Sequence, residues 1–360
     1  MRDFLIIGGG IAGISVGARL SGLGSVTVLE AEDGLGYHAS GRSAAMFEET
    51  YGSPSTVDLN VASKEYLKTA NGGVLSPRGL MLVGTDANRT EFARDMVDMH
   101  MEPMPTDDAL SLVPILNPDV VSEVGFHVGA FDIDTDLLIQ NFAREIRSNG
   151  GEIVLRQRVN AIKKSGSEWI VQAPDEEYRA KTLINAAGPW ADEIAALAGI
   201  NPIGIMPYRR SVARVPAPEN IDVSNWPMLF GPGENWYAKP DAGKLLISPA
   251  DEDATTPHDA WPEDITLATG IARFQEVTTH EVTRLESSWA GLRSFAPDRC
   301  LVLGPDATDS SFVWSAGQGG YGFQTSPAAS QLVADLVAGR PSVMDQATIG
   351  KLSPARFDPT

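Results

Sequence analysis

DFLIIGGGIAGISVGARLSGLGSVTVLE, residues 3–30, opens the chain with a glycine-rich segment between two apolar runs. The pattern predicts a buried strand (DFLII), a glycine turn, a helix over residues 11–24 and a second strand (SVTVLE). In such a unit Gly8 permits the tight turn, Gly10 lets a pyrophosphate approach the backbone, and Gly13 allows the helix to pack closely on the strand. The helix N-terminus then faces the negative charge of a phosphate.

Glu30 comes at the end of the second predicted strand. A carboxylate at that position hydrogen-bonds the ribose diol of a dinucleotide and repels a 2′-phosphate. We therefore predict a dinucleotide site rather than a glycine-rich packing turn. The motif alone does not separate NAD from FAD.

Two further segments indicate that the chain surrounds a planar cofactor. GYHASGRSAAMFEETYG (36–52) carries small residues that allow close backbone approach, and Arg42 is expected to meet a phosphate. TLINAAGPWADEIAALAG (182–199) predicts a second strand, a turn at Gly188 and Pro189, and a helix. The turn of such a strand-turn-helix unit lies at the carboxyl end of an open sheet, where ligands bind.

SFVWSAGQGGYGFQTSPAASQLVADLV (311–337) predicts a strand, a loop with four glycines and a helix. Ser326 and Pro327 have the residue types of an N-cap and a first turn, so we expect the helix to begin there. The positive end of this helix would stabilise the negative charge of a reduced flavin.

Composition limits the class of protein. A chain of 360 residues predicts about two domains, and a net charge of −19 argues against a nucleic-acid or anionic-membrane partner. Acidic runs such as DED (251–253) are interpreted as solvated loops. The single cysteine, Cys300, excludes an internal disulfide and is typical of a cytoplasmic protein. We find no signal peptide or membrane span, and the five histidines lack metal-ligand spacing, so no metal is expected.

The segments GGGIAG…LE, GYHASGRSAA, LINAAGPWAD, WAGLRSF and AGQGGYGFQTS resemble, in this order, a known family. It comprises the FAD-dependent amine and D-amino-acid oxidoreductases of the glycine oxidase, sarcosine oxidase and D-amino-acid dehydrogenase type. Within it the sequence is most similar to bacterial D-arginine dehydrogenases.

This resemblance implies an α/β fold like that of D-amino-acid oxidase, with two domains. A discontinuous Rossmann-like FAD-binding domain would comprise residues 1–75, 140–202 and 296–360, and an antiparallel-sheet substrate domain residues 76–139 and 203–295. In the second domain, NWYAKP and KLLISPA, joined by the turn residues DAG, predict a hairpin. FAD is the implied cofactor, held by Gly8, Gly10, Ala12, Gly13, Glu30, Ala31, Gly41, Arg42, Ser43, Ala44, Val159, Gly188, Gly319, Gly320, Tyr321 and Gly322.

The resemblance also implies a cradle for a substrate carboxylate, formed by Tyr51, Arg210, Tyr237 and Arg293. Guanidinium groups fit that role because they supply charge and paired donors in a fixed orientation. Arg209 and Arg210 lie on opposite faces of a predicted strand, so only one can face the flavin, and we choose Arg210. The Gly320 carbonyl would accept from the substrate amine, and Gln324 would line the same pocket.

The implied reaction is hydride transfer from the α-carbon of a D-amino acid to flavin N5, giving an imino acid and then a 2-oxo acid and ammonia. A secondary amine or a 2-hydroxy acid is an alternative substrate, and a non-catalytic FAD-binding subunit or sensor is an alternative of another class. The electron acceptor, oxygen or a quinone, stays open. Covalent flavin attachment in relatives needs a cysteine near Gly291; Cys300 lies further on, so we expect non-covalent FAD.

The expected side-chain pocket comprises Met46, Glu48, Leu80 and Met228. Leu80 and Met46 replace a glutamate and a histidine of the D-arginine dehydrogenases, which predicts a neutral or apolar D-amino acid as substrate. If the segment is extended, Met46 and Glu48 share a face, and Glu48 could supply a displaced acid. We favour the interpretation of Glu48 as a solvated loop acid.

Overall fold

The structure is a computed structural model that describes residues 1–174 and 176–357. Within these ranges the helices are α1 (Ile11–Ser21), α2 (Pro54–Thr69), α3 (Arg89–Asp98), α4 (Thr106–Leu112), α5 (Thr135–Ser148), α6 (Ala191–Leu197), α7 (Asp264–Glu276), α8 (Gly322–Ala338) and α9 (Gln346–Leu352). None of these described helices is long and apolar enough to cross a membrane.

The strands of the same ranges form three sheets. They are β1 (Arg2–Ile7), β2 (Val26–Leu29), β3 (Met46–Phe47), β4 (Leu75–Pro77), β5 (Leu80–Thr85), β6 (Glu102–Pro103), β7 (Val121–His127), β8 (Phe131–Ile133), β9 (Glu152–Val154), β10 (Ala161–Ser165), β11 (Glu168–Gln172), β12 (Glu177–Asn185), β13 (Met206–Pro216), β14 (Met228–Phe230), β15 (Tyr237–Asp241), β16 (Lys244–Ser248), β17 (Asp253–Ala254), β18 (Ser287–Phe295), β19 (Val302–Pro305) and β20 (Phe312–Ala316).

The first sheet has the predicted Rossmann-like arrangement. Parallel strands run in the order β20-β12-β1-β2-β9, and β10, β11 and β19 add antiparallel strands to it. α1 packs against both α5 and α8 over one face of this sheet, where Ile14, Ile146 and Leu332 belong to one buried core. The parallel strands therefore end at a common edge, beside the N-terminus of α1.

The turn between β1 and α1 depends on two glycines. Gly8 has φ +108°, and a Cβ there would overlap the carbonyl oxygen of Ala186, which directly follows the neighbouring strand β12. A Cβ on Gly13 would overlap the carbonyl oxygen of Gly8. These contacts place α1 tightly against the sheet, as the motif predicts. The helix ends at Ser21, three residues before the predicted end.

The second sheet runs in the order β17-β13-β16-β15-β14-β5-β7-β6, with β18 paired to β13. The predicted hairpin is present: β15 and β16 pair antiparallel, and the turn residues Ala242 and Gly243 both have positive φ, as a two-residue hairpin turn requires. The sheet is antiparallel except for β5 and β14, which run parallel. These two strands come from separate segments of the chain, so no hairpin dictates their direction.

A small third sheet has the strand order β3-β8-β4. The chain then enters α5, whose first turn is capped by the Asp134 side chain, which accepts from the Leu137 N–H at 2.9 Å. The domain boundary expected between residues 139 and 140 falls inside this helix. The helix packs against α1.

α8 begins at Gly322, so the predicted start at Ser326 and Pro327 is wrong. Pro327 lies inside the helix, where its missing N–H leaves the Phe323 carbonyl without its usual donor. The Ser326 hydroxyl donates to that carbonyl at 2.9 Å, which lets the helix continue past the proline. The first turn is therefore formed by the end of the glycine loop itself.

Candidate functional site

A cavity of about 490 Å³ lies between the first sheet and the second. The glycine turn and Glu30 line it from the carboxyl ends of β1 and β2, and Leu80 and Met228 line it from the second sheet. Residues from both sheets thus form one cavity.

At the glycine turn, the cavity wall is backbone. A Cβ on Gly10 would meet only the Ser40 hydroxyl, at 3.3 Å, so the space in front of this residue is open. The N-terminus of α1 follows directly, and its Ile11 N–H donates to Ser40 Oγ at 3.0 Å. This open backbone beside a helix N-terminus fits a pyrophosphate.

Glu30 is buried at the end of β2. One carboxylate oxygen accepts from the Gly9 N–H at 2.6 Å and the other from the Glu32 N–H at 2.9 Å. These contacts fix the carboxylate at the cavity wall, while each oxygen keeps a lone pair for a ribose hydroxyl.

Most of the predicted cofactor residues line this cavity, and three do not. Gly13 packs against the turn, the Gly41 N–H donates to the Gly36 carbonyl, and Tyr321 lines an adjoining cavity. The cavity lining includes Gly8, Gly10, Ala12, Glu30, Ala31, Arg42, Ser43, Ala44, Val159, Gly188, Gly319, Gly320 and Gly322.

The guanidinium of Arg42 is engaged by protein rather than presented to a phosphate. It donates to the carbonyls of Ala260 and Ala290 at 3.0 and 2.9 Å and to Asp259 at 2.5 Å. Arg42 therefore ties its loop to the second sheet, which differs from the phosphate contact expected from the sequence. Its partners are more than 200 residues away in the chain, so no local pattern identifies them.

The first turn of α8 presents Gly322, Phe323 and Gln324 to the cavity. Gln324 Oε1 accepts from the Glu48 N–H at 3.1 Å, while its buried Nε2 has no partner among the described residues. The Ser294 hydroxyl at the same cavity is also buried without a described partner. Buried donors of this kind are costly unless a ligand satisfies them. They fit the polar edge of a flavin.

Arg210 and Arg293 lie on one face of the β13–β18 pair. Arg210 is the register partner of Gly291, and Arg293 lies two residues further along β18, so both side chains project to the same side. Both line the cavity, together with Tyr51 and Tyr237. Arg209 projects the other way and forms ion pairs with Asp253 and Glu263, outside the cavity.

Burial lowers the pKa of the Arg293 guanidinium, whereas the nearby hydroxyls of Tyr51, Tyr321 and Tyr237 raise it. The hydroxyls have the larger effect, so the pKa of Arg293 is above its ordinary value. Tyr51 donates to Glu234 at 2.9 Å. Burial, followed by the charge of Glu234, raises the pKa of Tyr51 above its ordinary value. The site therefore holds a charged guanidinium beside a protonated phenol. Gly320 lies directly against Arg293, since a Cβ at this glycine would overlap the guanidinium.

An adjoining cavity of about 480 Å³ shares Tyr51, Arg210 and Arg293 with the first. Glu252 Oε2 lies 3.7 Å from Arg210 Nη2 and 3.9 Å from Arg293 Nη1, and Glu252 Oε1 lies 2.6 Å from Arg299 Nη2. Glu252 is itself exposed, as the interpretation of DED as a solvated loop expects. That interpretation is wrong at Asp251, whose side chain is buried and accepts from the Ser211 N–H at 2.6 Å and the Ser211 hydroxyl at 2.7 Å. Sequence reasoning also missed Glu234 and Arg299, because only the fold brings these residues to the arginine pair.

Glu48 is not a solvated loop acid: only 5 % of it is exposed, and it lines both cavities. Its carboxylate accepts from the Thr50 hydroxyl at 3.1 Å and lies 3.4 Å from His127 Nε2. Met46, Leu80 and Met228 line the same cavity as apolar neighbours. The sequence indicated that Met46 and Glu48 share a face but gave no sign of the elements that bury Glu48.

Comparison with known proteins identifies the family of this chain. A profile of the FAD dependent oxidoreductase family matches residues 3–336. The chain belongs to this family. FAD is therefore the cofactor of this FAD-dependent oxidoreductase.

Three relatives illustrate the similarity. The bovine (Bos taurus) FAD-dependent oxidoreductase domain-containing protein 1 is 23 % identical over 93 % of this chain and 81 % of its own length. Glycine oxidase from Geobacillus kaustophilus has the same fold, with a TM-score of 0.82, 22 % identity and 98 % of each chain covered. L-α-glycerophosphate oxidase from Mycoplasma pneumoniae, solved with FAD bound, gives 0.82 and 19 % identity, covering 96 % of this oxidoreductase and 99 % of that chain. The finer resemblance to D-arginine dehydrogenases stays a prediction.

Proposed function

We propose that this oxidoreductase oxidises a D-amino acid at the α-carbon, giving an imino acid that water hydrolyses to a 2-oxo acid and ammonia. The observation that carries the proposal is the pair Arg210 and Arg293, which project from one sheet face into the cavity. Two guanidinium groups at a largely buried site favour an anionic ligand, and a carboxylate matches their planar donors.

The residues around the arginine pair have distinct roles in this proposal. Tyr51 stays protonated, because its pKa is raised, and its hydroxyl donates to Glu234 beside the arginine pair. Gly320 lies against Arg293, so its carbonyl can accept from an amine on the carbon next to the bound carboxylate. This arrangement binds and orients an α-amino acid without a covalent bond to the protein.

The residues that fit FAD lie along the remainder of the cavity. The open backbone at Gly10 and the N-terminus of α1 would hold the pyrophosphate, Glu30 the ribose, and Gln324 with the first turn of α8 the flavin edge. When bound, FAD supplies the acceptor for the hydride that leaves the α-carbon. The protein contributes orientation and electrostatics, which is sufficient for this reaction class.

A secondary amine or a 2-hydroxy acid is the second candidate substrate. The arginine pair would hold the carboxylate of either one equally well, and the structural relatives named above include both a glycine oxidase and a glycerophosphate oxidase. What separates the candidates is the group on the oxidised carbon: only a primary amine yields free ammonia.

The test is anaerobic reduction of the purified holoenzyme. D-amino acids, L-amino acids, N-methyl amino acids and 2-hydroxy acids are added in turn, and loss of the oxidised flavin absorbance is followed with ammonia release. We expect D-amino acids to reduce the flavin fastest, with one ammonia formed per flavin reduced. Reduction by N-methyl amines or 2-hydroxy acids alone would establish the second candidate. Reduction by none of them would favour a non-catalytic FAD-binding subunit.

Reoxidation of the reduced enzyme identifies the electron acceptor. Oxygen and a soluble quinone are mixed separately with the reduced holoenzyme, and the return of flavin absorbance is timed. Fast return with oxygen indicates an oxidase, and fast return with the quinone alone indicates a dehydrogenase.

A further inference from the structure

On the second sheet, a row of residues across three strands lies at the wall of the cavity. Met228, Leu80 and His127 are register partners on β14, β5 and β7, so their side chains project from the same face of the sheet. Met228 and Leu80 line the cavity, and the His127 ring lies beside Glu48. The row is therefore apolar for two of its three positions and polar at its end.

Glu48 faces the polar end of this row. Among the residues that the structure describes, no lysine or arginine lies within ion-pair distance of its carboxylate, and the side chains that contact it are those of His127, at 3.4 Å, and Thr50, at 3.1 Å. Glu49, the next residue in the chain, shows the contrast: its carboxylate forms an ion pair with Lys64 and lies outside both cavities.

The backbone around Glu48 is held from two sides. Its N–H donates to Gln324 on α8 at 3.1 Å, and its carbonyl accepts from Asn60 on α2 at 3.4 Å. These two contacts fix the Glu48 backbone beside the cavity. A buried carboxylate that contacts only the Thr50 hydroxyl and the His127 ring among the described side chains is stabilised further by a cation that compensates its charge.

From this arrangement we infer that Glu48, assisted by His127, is a specificity-determining residue that binds a cationic group at the end of the substrate side chain. The matching substrate has an apolar stem, which packs on Met46, Leu80 and Met228, and a terminal ammonium or guanidinium. This replaces the expectation of an apolar substrate, which depended on a solvated Glu48. The inference rests on the proposed function for the position of the substrate carboxylate.

One experiment uses the unmodified holoenzyme and requires no turnover. 6-Aminohexanoate and hexanoate share a carboxylate and a stem but differ in the terminal ammonium, and each is titrated while the flavin absorbance spectrum is recorded. We expect 6-aminohexanoate to bind at least about tenfold more tightly, as a charge-assisted contact implies. Equal or weaker binding of 6-aminohexanoate would overturn the inference.

A second experiment uses turnover with the matched substrates D-lysine and D-norleucine. Glu48→Gln keeps the shape of the side chain and removes its charge, so we expect kcat/KM for D-lysine to fall about 10- to 100-fold and that for D-norleucine to change less than about threefold. Glu49→Gln makes the same change one residue away and should leave both values close to wild type. An equal loss for both substrates in Glu48→Gln would contradict a specificity role.

The two experiments separate this inference from the proposed function. Flavin reduction by D-norleucine but not by D-lysine would leave the proposed function intact and refute the role of Glu48. Preferential binding of 6-aminohexanoate, without reduction by any amino acid, would support Glu48 and refute the proposed reaction. The titration of the unmodified holoenzyme also decides the matter if Glu48→Gln fails to fold.

Discussion

At the scale of single residues, the direction of each side chain decides which arginine lines the cavity. Arg209 and Arg210 are neighbours in the chain, yet Arg209 forms ion pairs with Asp253 and Glu263 while Arg210 lines the cavity. Strand geometry produces this difference, since successive side chains point to opposite faces. Arg209 therefore serves as a control, because it carries the same charge as Arg210 but faces away from the site.

Replacing Arg210 or Arg293 by alanine should remove most turnover and leave FAD bound. Each loss removes a charge-assisted contact with the substrate carboxylate of about 1.5–3 kcal/mol, or about 10- to 150-fold in kcat/KM. Steady-state kinetics and the flavin-to-protein absorbance ratio measure the two effects. Arg209→Ala is the matched control and should retain near-normal kcat/KM. A larger loss in Arg209→Ala than in Arg210→Ala would mean that the cradle is misassigned.

In the proposed cradle, Glu252 would compete with an incoming carboxylate for both arginines, since its oxygen lies 3.7 Å from Arg210 and 3.9 Å from Arg293. Glu252→Gln should therefore tighten the binding of a simple carboxylate such as hexanoate severalfold, with the gain smaller at high salt. The measurement is flavin absorbance titration at two ionic strengths. Weaker binding in Glu252→Gln would instead show that Glu252 holds the arginines in position.

At the scale of elements, the junction of the glycine loop with α8 is the tightest part of the site. Gly320 precedes the helix and lies against the Arg293 guanidinium of β18, while Gln324 in the first turn contacts the backbone of Glu48 on the chain after β3. One short segment thus sets the position of the arginine and of the acid. A small change in this segment should be felt at both ends of the substrate cavity.

Gly320→Ala should impair activity as strongly as loss of the arginine itself, because the added methyl group would overlap the Arg293 guanidinium. We expect kcat/KM to fall at least about tenfold, consistent with a displaced charge-assisted contact, with FAD content unchanged. Gly350→Ala in α9 is the control: a Cβ there meets nothing within 4 Å, so activity should stay normal. Normal activity in Gly320→Ala would show that Arg293 can bind substrate from a shifted position.

Local patterns predicted the elements that depend on local chemistry. The β1 turn and its close helix follow from Gly8 and Gly13, and the β15–β16 hairpin follows from its turn residues. They did not predict the start of α8, because a serine followed by proline has the signature of an N-cap even inside a helix. Nor did they predict the burial of Glu48, which depends on contacts with Gln324 and other residues distant in the sequence.

At the scale of the whole molecule, residues of both large sheets are needed to form the cavity. The first sheet contributes the glycine turn and Glu30, the second sheet contributes the arginine pair and the side-chain row, and the chain crosses between the sheets several times. Arg42 adds a direct link from the loop after β2 to the Ala290 carbonyl on β18. Binding of the cofactor should therefore stabilise the two sheets together.

Removing FAD should lower the thermal midpoint of the entire protein. Because we expect non-covalent binding, denaturation of the holoenzyme should release all of its FAD. A ligand present at about 100 times its Kd stabilises the native state by about 2.7 kcal/mol, so the holoenzyme should melt several degrees above the apoprotein in a single transition. Calorimetry of both forms measures this shift, and acid precipitation shows whether the FAD is released intact. Flavin that stays in the protein pellet would contradict non-covalent binding.

The row of Met228, Leu80 and His127 has a consequence for how such enzymes can diversify. The hydrogen bonds that hold these three strands in register use backbone atoms alone, so the side chains at the row can be exchanged without altering the ladder. Each position also lies in a different segment of the chain and can change by a separate mutation. A sheet built this way behaves as a fixed frame with three interchangeable contacts. A few substitutions in one row could therefore redirect the scaffold from one substrate to another while its cofactor site stays the same.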